Sequence, residues 1–149
     1  MTKPVQRARL YATACGVYET CLNGEKTGEF CLAPGITDYK KRIQYQTVDG
    51  THLLQPGENQ WTVMVADGWY RGSVGAHGLV YVYGKEARFL GQLEILYADG
   101  SRDWILTDGD WDWSNDGPIR FADNKYTIGH IRPLSEAFTA AFNHGSATQ

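Results

Sequence analysis

The sequence predicts an all-β protein, built as a sandwich or a barrel of short strands. Apolar and polar residues alternate with a period of two along most of the chain, which is typical of strands with one buried face. Turn signals rich in Gly, Pro, Asn and Asp separate these runs. A length of 149 residues allows one domain with a substantial hydrophobic core.

The N-terminal part predicts a hairpin. The runs 7–15 and 17–22 alternate as strands, and Asn23 and Gly24 follow the second run. Both of these residue types tolerate positive φ, so the pair predicts a tight two-residue turn. The predicted inward faces are Leu10, Ala12 and Ala14 in the first strand, and Tyr18, Thr20 and Leu22 in the second.

Two further strands are predicted at 42–48 and 59–66, on either side of a compact turn, 51–59. The second of these strands ends in an aromatic loop, 67–72, and the Gly- and Tyr-rich stretch 72–85 predicts a long loop. The residues expected to share the buried face of the strand at 59–66 are Trp61, Val63 and Val65.

The last strands are predicted between residues 89 and 113. A strand precedes the Asp99-Gly100 turn, 104–106 returns from it, and Trp111 and Trp113 are spaced as the core face of a final short strand. The residues sharing one face before the turn are Phe89, Leu93, Ile95 and Tyr97.

The C-terminal tail has a different periodicity. Apolar residues from Leu134 to Phe142 follow an i, i+3, i+4 pattern, and Ser135 is a candidate N-cap. The sequence therefore predicts a β-sandwich module over 1–132 and a short helical or frayed tail over 133–149.

Composition excludes several classes of function. A net charge of −3 provides no basic field for nucleic acid, and no apolar run is long enough to span a membrane. The N-terminus lacks the apolar segment of a signal peptide, so the chain is expected to be cytoplasmic or to be cut from a longer protein. The odd number of cysteines, 3, indicates small core residues in a reducing compartment rather than a disulfide framework.

Two loops carry candidate binding residues. In the loop 67–72, aromatic Trp69 and Tyr70 can stack on sugar C–H groups, and Arg71 can donate to hydroxyls. The alternative is that Trp69 plugs the end of the sandwich. Asp123 and Asn124 offer the carboxylate and amide oxygens that Ca²⁺ prefers, although such a pair also makes ordinary turns.

Catalytic signatures are missing from the sequence. It contains no Gly-x-Ser-x-Gly elbow, no His-Glu-x-x-His and no phosphate-cradling glycine loop. Nothing in the spacing of the carboxylates identifies the pair that a glycosidase needs. We therefore expect no independent catalysis.

Ordered motifs over residues 7–126 resemble the N-terminal β-sandwich domain of bacterial α-L-rhamnosidases. The Asn-Gly hairpin and the Leu-Leu…Gly-Glu-Asn turn also occur in the broader galactose-binding-like jelly rolls. The segments that carry the resemblance are 9–19, 22–24, 32–39, 42–45, 53–59, 67–72, 92–94, 97–101 and 121–126.

The resemblance implies a non-catalytic jelly-roll sandwich, because the acid and base of such enzymes lie on a separate α/α-barrel domain. Some of these sandwiches are calcium-dependent rhamnose-binding modules, in which an adjacent Asp and Asn hold both the ion and the sugar. Asp123 and Asn124 resemble that pair. The implied partners are L-rhamnose or a rhamnose-containing glycan, Ca²⁺ and a glycosidase catalytic domain.

The sequence departs from the family pattern after Tyr126, where it reads Thr-Ile-Gly-His-Ile-Arg. This places in doubt any ligand that the last strand would supply. Two functions stay open: a carbohydrate-binding module using Asp123, Asn124, Trp69, Tyr70 and Arg71, or a structural domain that packs against a catalytic domain without binding sugar.

Overall fold

Two antiparallel sheets face each other in the computed structural model, which describes residues 1–75 and 78–116. The four-stranded sheet has the order β4-β1-β6-β7, and the three-stranded sheet has the order β3-β2-β5. The strands are β1 (Val5–Cys15), β2 (Val17–Leu22), β3 (Glu25–Lys26), β4 (Gln46–Asp49), β5 (Trp61–Ala66), β6 (Arg88–Tyr97) and β7 (Arg102–Leu106). The predicted β-sandwich is confirmed.

The core lies between the two sheets, where the alternating faces meet. The side chain of Trp61 is 1% exposed, and its Nε1 donates a 2.6 Å hydrogen bond to Thr20 Oγ1, so its polar atom is satisfied inside the core. The predicted inward faces of β1, β2, β5 and β6 are confirmed. The largest fully buried side chains are Trp61, Leu10, Leu22, Leu93, Ile95 and Val65.

The Asn-Gly turn is also confirmed. Asn23 and Gly24 have φ values of 53° and 81°, and they connect Leu22 of β2 to its partner Glu25 of β3. This left-handed backbone is the conformation that the residue pair was expected to supply. A short 3₁₀ helix, Thr51–Leu53, lies within the predicted turn 51–59.

Several predicted elements differ from the structure. The strand expected at 42–48 forms only at Gln46–Asp49, and the strand expected at 59–66 begins at Trp61. No strand forms over 107–116, although one was expected at Trp111 and Trp113. Trp111 does pack on the core, but Trp113 is 65% exposed, since without strand geometry a spacing of two no longer places both side chains on one face.

The cysteines also differ from expectation. All three are free thiols, but none is fully buried, and Cys31 is exposed. The predicted C-terminal helix and the domain boundary at 132/133 lie outside the described residues. Within the described ranges, no helix is both long and apolar enough to cross a membrane.

Candidate functional site

One end of the sandwich collects the loops of interest. Strand β1 ends at Cys15, which pairs with Arg88 at the start of β6, and Val17 at the start of β2 pairs with Ala66 at the end of β5. Strand β7 also ends here, because Leu106 pairs with Gln92, four residues into β6. We call this the α1 end, since the helical turn α1 (Gly68–Arg71) follows β5 there.

The residues predicted as an exposed loop form this helical turn. Gly68 has a φ of 51°, and a Cβ at this position would lie 2.5 Å from Val17 Cγ1. Glycine is therefore required where the chain turns against β2. The turn carries Trp69, Tyr70 and Arg71, all of them half-buried rather than exposed.

Arg71 forms a salt bridge within the protein. Its Nε lies 3.0 Å from Asp67 Oδ1, and the two side chains are only 12% and 18% exposed. A guanidinium held in this way has less freedom to donate to a ligand, because moving it would leave the Asp67 carboxylate without its partner.

Tyr70 belongs to a cluster of three aromatic rings, the tyrosine cluster of Tyr39, Tyr70 and Tyr83. The Tyr39 ring contacts Tyr70 edge-on at 5.4 Å and Tyr83 at 5.0 Å. Burial raises the pKa of both Tyr39 and Tyr70, and the neighbouring Cys15 thiol raises that of Tyr70 further. The Tyr39 hydroxyl donates to Gly35 O at 2.8 Å. The Tyr39 side chain is therefore held both by its ring contacts and by its hydroxyl.

A cleft of about 370 Å³ opens at the same end of the sandwich, where β6 begins and β7 ends. Trp111 forms one fixed wall, with its ring 4.9 Å from that of Trp61 and its Nε1 donating to Leu106 O at 3.1 Å. Trp113 is 65% exposed. The cleft is lined by Val63, Ala87, Arg88, Phe89, Thr107, Asp108, Trp111, Asp112 and Trp113.

Arg88 connects the cleft to the tyrosine cluster. It lines the cleft, and its Nη2 lies 2.6 Å from Glu86 Oε2. The hydrogen bond to Glu86 raises the pKa of Arg88, and Tyr70 contributes to the same shift. The α1 turn and the cleft are therefore neighbours at one end of the sandwich, which the sequence could not establish.

The predicted ion-binding pair cannot be placed in this geometry. Asp123 and Asn124 lie outside the described residues, and Asp123 follows Asp116, the last described residue, by seven positions. In residues 1–75 and 78–116, no group of three or more His, Cys, Asp or Glu side chains is arranged to hold a metal ion. The described carboxylates at the cleft are Asp108 and Asp112, and Asp108 Oδ1 already accepts a 3.0 Å hydrogen bond from Asp110 N.

Sequence reasoning missed most of the residues that shape this end. Tyr39 lies more than 40 positions before Tyr83 and Arg88, so no local motif joins it to them. The high tyrosine content, 9 residues, was the only signal, and it does not specify which rings meet.

These features define a β-sandwich module with an aromatic and charged cleft at one end. The family model of the α-L-rhamnosidase N-terminal domain matches residues 3–128. The chain belongs to this family.

Solved structures and curated relatives agree with this assignment. The crystal structure of Streptomyces avermitilis α-L-rhamnosidase complexed with L-rhamnose is 51% identical, with a TM-score of 0.77 over 81% of this chain and 12% of that chain. The native enzyme from Aspergillus terreus is 38% identical, with a TM-score of 0.73 over 74% of this chain and 13% of that one. An α-L-rhamnosidase from Alteromonas sp. (strain LOR) is 42% identical over 82% of this chain.

The chain spans only 12–13% of the length of the curated relatives that it matches. The similarity covers the part of these enzymes that the family model describes as their N-terminal domain.

Proposed function

We propose that this chain is a non-catalytic carbohydrate-binding module that takes L-rhamnose or a rhamnose-containing glycan at its α1 end. The supporting observation is the cleft itself, where an exposed tryptophan, Trp113, adjoins Arg88 and two carboxylates, Asp108 and Asp112. Aromatic faces bind the C–H side of a sugar, and charged groups bind its hydroxyls. L-rhamnose is the sugar bound in the Streptomyces avermitilis structure, which is 51% identical to this chain.

Ca²⁺ is the proposed mediator, and Asp123 and Asn124 would hold it. Their oxygens are of the type that Ca²⁺ prefers, and sugar hydroxyls can replace water on such an ion. In sequence, Asp123 follows Trp113, the last cleft-lining residue, by ten positions. The described residues by themselves supply no ion site, so the proposal depends on this pair.

Of the residues on the α1 turn, Tyr70 is the best supported as part of the site. Burial raises the pKa of Tyr70, and the charge of Arg88, which lines the cleft, acts against this rise. Arg71 is held by Asp67, and the half-buried Trp69 fits the alternative role of plugging the end of the sandwich. The proposed sugar contacts of these two residues are therefore weaker than that of Tyr70.

A structural role without sugar binding is the second candidate. The enclosed Asp67–Arg71 ion pair and the packed tyrosine cluster favour it, because they show an end of the sandwich that is filled by the protein's own side chains. In this function the module packs against the catalytic domain of a glycosidase, a partner consistent with the small share of each relative that it spans.

Calorimetric titration with L-rhamnose, in Ca²⁺ and then in chelator, separates the two functions. We expect heat of binding in Ca²⁺ only, and its loss in Asp123→Ala and Asn124→Ala. Asp38→Ala is the matched control, since this exposed carboxylate lies in the loop before β4. Identical behaviour of the wild type and Asp123→Ala in both conditions would support the structural role.

Hydrolysis is tested separately with an aryl α-L-rhamnoside. We expect no turnover by purified protein, because the sequence offers no identifiable acid and base pair. Turnover that disappears on substitution of one acidic residue of this chain would make it an enzyme.

A further inference from the structure

The solvent-facing side of the four-stranded sheet carries a second ordered set of side chains, which we call the outer face. Strand register aligns them in rows across β1, β6 and β7, because residues paired in a sheet point to the same side. The rows are Arg7–Leu96–Arg102, Arg9–Glu94–Trp104, Tyr11–Gln92–Leu106 and Thr13–Leu90.

A groove of about 580 Å³ crosses the outer face, within the usual volume range of ligand sites. Tyr45 is 67% exposed, Leu90 64%, and Leu106 50%, so its apolar walls are open to solvent within the described part of the chain. It is lined by Tyr11, Ala12, Thr13, Ile43, Tyr45, Leu90, Gly91, Gln92, Leu106 and Thr107.

The Gln92 amide is a polar group of the groove that is available to a ligand. The hydroxyls of Thr13 and Thr107 bond to the backbone of Gln44 and Gly91, at 2.6 and 3.0 Å. The Gln92 amide, in contrast, makes no hydrogen bond with the residues that the structure describes. An unused amide between apolar walls suits a ligand with both C–H faces and hydroxyls.

Next to the groove, the accessible charge is positive although the whole protein carries −3. Arg102 Nη1 lies 2.8 Å from Glu94 Oε1, and the Glu94 side chain is only 7% exposed. The Asp49 carboxylate accepts hydrogen bonds from Thr51. The arginines Arg7, Arg9 and Arg102 therefore outnumber the two carboxylates of the outer face, although Asp49 lies opposite Arg9 and keeps its charge.

Arg7 and Arg9 form no salt bridge within residues 1–75 and 78–116. The neighbouring Tyr11, which lines the groove, raises the pKa of the Arg9 guanidinium. Arg9 and Tyr11 lie two positions apart on the same face of β1, a spacing of about 7 Å. Trp104 lies in the same row as Arg9 and is 49% exposed.

We propose that the outer face binds an acidic oligosaccharide, with sugar rings in the groove and over Trp104, and a uronate carboxylate on Arg7 and Arg9. This inference rests on the proposed carbohydrate-binding function and adds a ligand class to it: glycans that carry uronic acids. The guanidinium fork matches a carboxylate, and aromatic rings stack on sugars.

A second copy of the chain is a poorer occupant. A two-fold interface places the same patch against itself, so both copies would bring the same net positive charge to it. Like charges in contact oppose association. The charge of the outer face is instead complementary to an anionic ligand.

The test is titration calorimetry with an oligosaccharide of alternating L-rhamnose and D-galacturonate, in chelator so that an ion site at Asp123 and Asn124 does not contribute. We expect binding that weakens in high salt and falls at least tenfold when the carboxylates are reduced to alcohols. Arg7→Ala/Arg9→Ala and Trp104→Ala should each weaken binding at least tenfold. Arg9→Lys should recover only part of it, because it keeps the charge and loses the fork.

Two residues away from the outer face provide matched controls. Lys26→Ala, in the three-stranded sheet, and Phe30→Ala remove a cationic and an aromatic side chain and should bind like the wild type. Unchanged circular dichroism confirms folding of every variant. Equal affinity for the acidic and reduced oligosaccharides, or wild-type binding by Arg7→Ala/Arg9→Ala, would contradict the inference.

Absence of any binding in chelator would overturn the inference as well. The titration of L-rhamnose with Ca²⁺ would be unaffected by that result. Failure of the outer-face site is therefore distinguishable from failure of the proposed function.

Discussion

Asn23 Nδ2 donates a 2.8 Å hydrogen bond to Asn59 Oδ1 and joins two turns that are 36 residues apart in sequence. The same Asn23 amide donates to Leu53 O at 2.7 Å, and Asn23 Oδ1 accepts from Gln60 N at 2.8 Å. The Asn-Gly and Gly-Glu-Asn motifs that mark the family therefore meet in one polar network. The two motifs therefore have a structural role, because they hold the two turns together.

Substituting Asn59 should destabilise the fold. Asn59 is 7% exposed and accepts from both Asn23 Nδ2 and Gln55 N. Asn59→Ala leaves these donors without their acceptor, at a cost of about 2–3 kcal/mol in the free energy of unfolding. Chemical denaturation measures this loss, and Glu58→Ala, in the exposed part of the same turn, should change stability little. Equal midpoints for the two variants would contradict the network's role.

Leu93 tests the assignment of strand faces in β6. It is 1% exposed between the sheets, and Leu93→Ala should cost about 2–5 kcal/mol through lost burial and the cavity left behind. Leu90 lies on the opposite face of the same strand and is 64% exposed, so Leu90→Ala is the matched control with an effect near zero. Urea unfolding of both variants gives the comparison. A reversed order of the two effects would mean that the faces are inverted.

Gly91 is required for packing rather than for a turn. A Cβ at this position would lie 2.7 Å from Trp61 Cη2, closer than real Cβ contacts come. Gly91→Ala should therefore overpack the core and cost about 1–3 kcal/mol, with a change in tryptophan fluorescence. Gly109→Ala is the control, because no heavy atom lies within 4 Å of its added methyl. A neutral effect of Gly91→Ala would show that the Trp61 ring can move aside.

Stability should fall at alkaline pH because buried tyrosines resist ionisation. Burial, followed by the hydrogen bond to Asp103, raises the pKa of Tyr97 from 10.0 to about 12, and burial raises the pKa of Tyr18 as well. Since the pKa of each phenol is higher in the folded than in the unfolded state, the phenols contribute to the free energy of unfolding. This contribution is fully present below about pH 10 and is lost as pH rises toward 12.

The measurement is the free energy of unfolding against pH for wild type, Tyr97→Phe and Tyr18→Phe. Each variant should show a shallower decline between about pH 10 and 12, because one fewer buried phenol has to lose its proton. Identical slopes in all three proteins would rule out this origin of alkaline instability.

Local sequence patterns correctly predicted the features that a single strand or a single turn determines. Alternation predicted the buried faces of β1, β5 and β6, and the Asn23-Gly24 pair predicted its turn, because neighbouring residues in the chain set these features. The same reasoning placed Trp113 in the core, where it is 65% exposed, since a spacing of two has meaning only inside a strand.

The sequence by itself determined the β-sandwich class and the family, because alternation and ordered motifs are properties of the linear chain. Only the tertiary structure decided which loops share an end and which side chains share a face. Tyr39 meets Tyr70, Arg88 joins the α1 turn to the cleft, and Arg9 shares a row with Trp104. These neighbours follow from strand order and register, which depend on pairing between distant segments and are not encoded in any single one of them.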